Sequence, residues 1–368
     1  MSLFSGRSGI TVLSIAILFI SAMPALSQNQ KYAVTGAVTD HRSGQPLKGA
    51  NVYLAGTTLG SSTDADGRYF IRNITQGVFE LAFSYVGYEP VIKKLVITQS
   101  DDTLHIDASL RPRSSSLEEM TIKSERPARW IHLKERFTEI FLGHTSNARE
   151  CKILNPEQLE FELTDDNLLI ARAPNPLIVD NRALGYRIYI ELEQFEWNSS
   201  LDIGTMVIYP KFELMRTTER RLRKSWERNR KKTYEGSLKH FLATLYEARS
   251  NYAGYEFNEG LINEISDAEK EFELAVKKDL PRELKKLLKG FTLPKEVQIK
   301  YSKYSQNASF YSSNQSYKVS FLAPVRNDNV FFVDPWGNLL EPKSIQLGGE
   351  WAANRVADLL PFHYGGKR

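Results

Sequence analysis

The stretch from Val34 to Tyr88 constrains the fold more than any other part of the chain. Val34, Gly36 and Val38 alternate with Thr35, Ala37 and Thr39, the two-residue period of a strand with one buried face. Turn formers follow at Asp40, Ser43, Gly44 and Pro46, and a β-rich run covers Ala50 to Leu54. Thr63-Asp64-Ala65-Asp66-Gly67 makes a tight corner into Arg68–Ile71, and Val78–Tyr85 is a further strand closed by Gly87. Pro90–Thr98 and Leu104–Leu110 extend the pattern. Strands this short and this regularly spaced predict an antiparallel sandwich.

The motifs Gly36-x-Val38-x-Asp40, Gly44-x-Pro46-Leu47-x-Gly49-Ala50-Asn51-Val52, Thr63-Asp64-x-Asp66-Gly67-x-Tyr69 and Tyr85-Val86-Gly87-Tyr88 resemble those of the carboxypeptidase-regulatory-like domain. The resemblance implies a small transthyretin-like, Ig-like β-sandwich over residues 31–111. It also implies an accessory module with no chemistry of its own, found beside metallocarboxypeptidases and in bacterial envelope proteins.

The amino terminus reads as an export leader. Arg7 supplies a positive region, Ile10 to Ile20 an apolar core too short to span a bilayer, and Ala25-Leu26-Ser27 a small-residue cleavage site. Residues 1–27 are therefore expected to be a signal peptide, and no later run is apolar enough to cross a membrane as a helix. The single cysteine, Cys151, allows no internal disulfide and reads as a half-buried structural thiol. With 368 residues, 42% of them hydrophobic and 25% charged, the chain can bury more than one core, and a net charge of +4 does not call for nucleic acid.

Residues 112–129 read as a linker. Within it Leu117–Lys123 is similar to the segment that follows this domain in TonB-dependent receptors, where an extended peptide can add to a partner's sheet. Residues 130–368 are expected to form a larger α+β domain. Trp130–Leu142 reads as a helix with Ile131, Phe137, Ile140 and Phe141 on one face. Five strands follow between Leu159 and Phe212, with Tyr186, Ile188, Ile190 and Leu192 sharing a face. Thr217–Ser250 takes a helical period, with a stripe of Leu238, Phe241, Leu242 and Leu245. Leu261–Gly290 reads as a charged helical region broken at Pro281. Strands return at Val297–Tyr304, Tyr317–Leu322 and Val330–Val333, and Leu347–Leu360 reads as a short closing helix. Phe141-Leu142-Gly143, Leu184-Gly185-Tyr186, Tyr234-x-Gly236-Ser237 and Trp351-x-x-x-Arg355-x-x-Asp358-Leu359-Leu360-Pro361 resemble exported proteins of the Bacteroidetes type in which such a domain comes first. That group has no established activity to carry over.

Candidate chemistry is sparse. His132-x-x-Glu135 fits two ligands of a zinc peptidase and His240 could be a third, but His132 falls in an amphipathic helix and the order of domains is reversed for such an enzyme. Asp64, Asp66 and Gly67 partly imitate a calcium loop, although Asn73 stands where a bidentate carboxylate is needed; Asp64 is better placed to accept backbone N–H bonds in a turn. Arg220, Arg221, Arg223, Lys224, Arg228, Arg230, Lys231 and Lys232 form a dense basic run that reads as a solvated helix face or a surface for phosphate, acidic polysaccharide or lipid headgroups. No cofactor is expected. The sequence thus points to an exported binding or scaffolding protein of the periplasm or outer surface of a Gram-negative cell. Its expected partner is an envelope protein or polysaccharide and not nucleic acid. A metal-dependent hydrolase and an accessory of a TonB-dependent uptake system are the alternatives.

Overall fold

A computed structural model describes residues 31–98, 103–113, 128–198, 200–201, 203–248, 253–275, 280–302, 318–325, 329–341 and 344–365. The leader and Leu117–Lys123 lie outside the described residues.

The first unit is built from β1 (Tyr32–Asp40), β2 (Asn51–Leu54), β3 (Gly60–Ser62), β4 (Arg68–Ile74), β5 (Gly77–Ser84), β6 (Val91–Ile97), β7 (Thr103–His105) and β8 (Ala108–Leu110). One sheet runs β4-β1-β7 with β8 also on β1, and the other runs β3-β2-β5-β6. Alternation along β1 is complete, every second residue from Tyr32 to Asp40 being buried. Val34, Val38, Val52, Leu54, Ile71, Leu81, Phe83 and Leu110 fill the space between the sheets. Pairing is antiparallel except at β7 and β8, which run parallel to β1. That parallel edge is where the expected strand over 104–110 splits in two.

The sequence motifs of this unit are its fasteners. Asp40 Oδ1 accepts from the backbone N–H of Arg42 at 2.8 Å and of Ser43 at 2.7 Å, while Oδ2 accepts from the Tyr88 hydroxyl at 2.9 Å. These charge-assisted bonds pull the Asp40 carboxyl below the usual range. Thr63 Oγ1 donates to the Leu47 carbonyl and accepts from Ala50 N–H at 2.8 Å, tying two loops together.

The rest of the chain begins with α1 (Ala128–Leu142), then β9 (Cys151–Ile153), β10 (Glu160–Leu163), β11 (Leu168–Arg172), β12 (Leu177–Asn181), β13 (Tyr186–Asn198) and β14 (Ile203–Leu214). These strands form one antiparallel sheet, β10-β11-β13-β12-β9, with β14 along the other edge of β13. Tyr186, Ile188 and Ile190 point into a second core, as their spacing predicts, and α1 covers it with Leu133, Phe137, Phe141 and Leu142. Ile131 does not join that face: it is 45% exposed, and Leu133 takes the place expected of it.

The expected helical run after Thr217 is two helices, α2 (Arg220–Tyr234) and α3 (Leu238–Tyr246). Gly236 separates them at φ 81°, where a Cβ would stand 2.5 Å from the Tyr301 ring, and Ser237 caps α3 by accepting from His240 N–H at 3.1 Å. β15 (Tyr255–Phe257) comes next, and the charged region beyond Leu261 holds β16 (Asn263–Glu264), α4 (Asp267–Ala275), α5 (Arg282–Leu287) and β17 (Lys289–Thr292). Gly290 therefore lies inside a strand instead of ending a helix. With β18 (Val297–Tyr301), β19 (Lys318–Pro324), β20 (Val330–Val333) and β21 (Ile345–Gly349) these make two small sheets, β15-β18-β19-β21 and β16-β17-β20. Phe241, Leu242 and Leu245 of α3 pack between them in a third core with Phe291, Ile299, Phe331 and Trp351.

The expected closing helix over Leu347–Leu360 is instead the end of β21, α6 (Glu350–Ala353) and a 3-10 turn at Val356–Asp358. From α6 onward the chain is a tail that reaches three of the four hydrophobic cores of the described residues, the fourth being Leu274, Leu280, Leu288 and Phe332. Trp351 lies in the third and donates Nε1–H to the Gly236 carbonyl at 2.8 Å. Val356 is fully buried in the second, and Phe362 packs on the first.

Candidate functional site

Helix α2 carries the basic run, and its seat explains which of those residues are free to act. Trp226 is buried and donates Nε1–H to the Arg182 carbonyl at 2.9 Å. Asn229 donates to the Ala183 carbonyl at 2.8 Å, and Arg230 donates Nε–H to the Leu184 carbonyl at 2.7 Å while its guanidinium lies 4.1 Å over the Tyr186 ring. Gly185 makes this seat: at φ 67° it exposes bare backbone to Trp226, and a Cβ there would be 2.2 Å from the indole. Arg230 is thereby structural. Arg220, Arg221, Arg223, Lys224, Arg228, Lys231 and Lys232 are exposed. Lys231 reaches Glu235 at 3.7 Å in an exposed pair worth little. Three of the arginines occupy the first turn, which has no acidic residue, so they sit against the positive end of the helix dipole. Folding stability alone does not favour that arrangement.

His132 and Glu135 sit on the outer side of α1, where with Arg136, Glu139, His144 and Trp197 they line an open pocket of about 430 Å³. His240 is elsewhere, half-buried among Tyr234, Tyr255 and Tyr301, with Nδ1 2.9 Å from the Tyr255 hydroxyl, and desolvation lowers its pKa. The three side chains are not brought together, and among the described residues no three His, Cys, Asp or Glu groups converge to hold a metal ion. Asp64 Oδ1 accepts from Asp66 N–H at 2.9 Å and Arg68 N–H at 2.8 Å, with Gly67 at φ 71°. Asp66 is exposed on the same turn. Cys151 is half-buried, and burial pushes its thiol up to about 12, which removes the thiolate a nucleophile requires.

Sequence reasoning missed the crevice where the first unit meets the tail. Val78, Phe79, Leu284, Leu288, Trp336 and Phe362 are among the residues lining an apolar cavity of about 190 Å³, with Asp334 at its polar end. Asp334 Oδ1 accepts from Trp336 N–H at 2.9 Å and Asn338 N–H at 2.8 Å, and burial raises its pKa. Beside it Lys239 donates to the Pro361 carbonyl at 3.1 Å and to the Phe362 carbonyl, and burial pulls its amine down to about 8. His363 meets Thr75 Oγ1 at 3.0 Å and is held down to about 4, chiefly by burial. The one trace of this site in the sequence is the aromatic density of Trp336, Phe362, His363 and Tyr364.

Residues 34–122 match the CarboxypepD_reg-like domain. Similar stretches occur in TonB-dependent receptor P39 of Formosa agariphila, 32% identical over 112 residues, which is 29% of this chain and 10% of that protein. TonB-dependent receptor SusC of Bacteroides thetaiotaomicron is 37% identical over 82 residues, or 21% of this chain and 8% of that protein. The chain thus spans a tenth or less of the length of the curated relatives it matches. Among solved structures, the group B streptococcus pilus 2b backbone protein overlaps 23% of this chain and 42% of its own at 18% identity and a TM-score of 0.20. No helix of the described residues is long and apolar enough to cross a membrane.

Proposed function

We propose that this protein is an exported binding component of the cell envelope, working with TonB-dependent uptake receptors of the outer membrane and catalysing nothing itself. The observations that carry this reading are the CarboxypepD_reg-like match over residues 34–122 and the stretches 32% and 37% identical to two such receptors. The placement of charge supports it. Seven basic side chains are exposed on a helix that is pinned from behind at Trp226, Asn229 and Arg230, so they present a basic face to an anionic envelope component. In this reading residues 1–27 are a leader, 31–111 the accessory domain, 112–129 a linker and 130–368 the part that meets the ligand.

The test is retention on isolated outer membranes. The full chain is expected to sediment with them and to release as salt rises through about 0.5 M, since exposed charge pairs are screened over that range. Replacing Arg220, Arg221, Arg223 and Lys224 by alanine should abolish retention while the far-ultraviolet circular dichroism stays unchanged. Retention unaltered by both salt and substitution would defeat the proposal.

A further inference from the structure

Strand β14 has one side along β13 and an opposite side that is only half covered. Phe212 N–H donates to the Thr57 carbonyl at 2.9 Å and Gly56 N–H donates to the Pro210 carbonyl at 2.6 Å, so the loop after β2 adds to the Pro210–Phe212 end of this edge. The bridge between Thr57 and Lys211 runs parallel. In an antiparallel strand a residue sends its N–H and C=O to the same side, and successive residues alternate. Pro210 and Phe212 face the outer edge, so Gly204, Met206 and Ile208 do as well. Pro210, with no N–H to give, falls where a proline costs the ladder nothing. The register with β13 is regular along β14, because the one irregularity falls between Leu192 and Gln194 of β13. Among the described residues nothing pairs with the edge from Ile203 to Ile208.

This open half lacks the usual guards. Other edges carry charge: Lys93 and Lys94 on β6, Glu160 and Glu162 on β10. Ile203-Gly204-Thr205-Met206-Val207-Ile208 has no charge and no proline, and Ile203 is 61% exposed at its end. The sheet face beside it is acidic. Glu196 lies opposite Thr205 and Gln194 opposite Val207, with Glu193 at the irregularity beside Gln194, whereas Glu191 opposite Tyr209 is buried and takes no part. Glu193 is exposed and Glu196 half-buried, and among the described residues neither forms an ion pair.

We infer that the β14 edge from Gly204 to Ile208 is a docking site for an extended peptide strand of a partner protein, one with lysine or arginine at alternate positions. The strand continues the addition that the Gly56-Thr57 loop begins. Its backbone takes the outward groups of Gly204, Met206 and Ile208, and its basic side chains lie across Thr205 and Val207 toward Glu196 and Glu193. A second copy of this chain fits less well, because self-pairing extends an acidic face with another acidic face. The inference does not depend on the envelope function proposed above.

The probe is a fluorescein-labelled peptide, Val-Lys-Val-Lys-Val-Lys-Val with blocked ends, titrated with the full chain and followed by anisotropy. Saturable binding is expected, weakened about tenfold or more by Val207→Lys, which sets a like charge on the edge, and by Met206→Pro, which removes an outward donor without touching the β13 ladder. The same peptide with glutamate in place of lysine should bind about tenfold more weakly or worse. Should Met206→Pro fail to fold, Val207→Lys decides alone, since its side chain is on the half-exposed outer face. Absence of binding, equal binding by Val207→Lys, or equal binding of the glutamate peptide overturns the inference. So does a dimer in sedimentation that Val207→Lys dissolves, which would assign the edge to a second copy.

Discussion

In the first sandwich Val34, Val38, Val52, Ile71, Leu81, Phe83 and Leu110 all come from strands that follow one another along the chain, and among the described residues only Phe362 reaches its core from far away. The second core gathers Leu133 and Phe137 of α1, Ile188 and Ile190 of β13 and Val356 of the tail. The third needs Phe241 and Trp351, which frame all of its sheets in sequence. A core filled by near neighbours closes short loops and stands by itself, whereas one filled from distant segments depends on whichever segment arrives last. In this protein that segment is the tail from Trp351 to Gly365, which touches these three cores and so makes the independent unit share its stability with the dependent ones.

The strongest way to break this contrast is to disable the tail. Val356→Ala, Leu360→Ala and Phe362→Ala together should cost about 5–8 kcal/mol, since each truncates an apolar side chain in or against a core. Calorimetry should then show two transitions, the second part melting first and the sandwich later. A single transition at the original temperature would refute the special standing of the tail.

Next in size is the Lys239 latch. Its amine has a pKa of about 8 when folded against 10.5 when unfolded, so the folded chain binds that proton less well. Stability is therefore lower below pH 8 and rises between pH 8 and 10.5, by at most about 3 kcal/mol. Lys239→Met should flatten the rise in denaturant titrations made across that window, and an unchanged slope would show that the amine is not desolvated by the tail. His363 works on the acid side. Its folded pKa of about 4 lies under the ordinary 6.5, so stability should decline as pH falls from 6.5 toward 4, and His363→Gln should remove part of that decline.

Smaller again is Gly185→Ala, which forces a Cβ into Trp226 from a left-handed backbone and should cost about 1–3 kcal/mol, read as earlier loss of the tryptophan near-ultraviolet signal. Least of all for stability is removal of the exposed arginines. Arg220→Ala, Arg221→Ala and Arg223→Ala should shift unfolding by less than about 0.5 kcal/mol, with a slight gain because cations leave the positive end of a helix.

The same contrast sets what could be read from the sequence. In the sandwich, alternation and turn chemistry act within a few residues, and the strands from Tyr32 to Ile97 fall close to where spacing places them. Even there β3 is too short to leave a pattern. In the second part, the stripe of Leu238, Phe241, Leu242 and Leu245 was legible, but the break at Gly236 is fixed by a Tyr301 ring some sixty residues away. Leu347–Leu360 has apolar residues at helical intervals, yet two separate cores claim them, Trp351 going to one and Val356, Leu359 and Leu360 to the other, and only the short α6 forms. The basic face of α2 was visible as composition. That Arg230 serves the fold and its neighbours do not could be seen only once Leu184 and Tyr186 were placed beside it.

The tail also imposes an order in time. Residues 351–365 are synthesised after everything they clasp, so the sandwich can set while the two later cores stay unlocked until those residues clear the ribosome. A nascent chain of this kind stays pliable until that tail emerges and can clasp what was made before it.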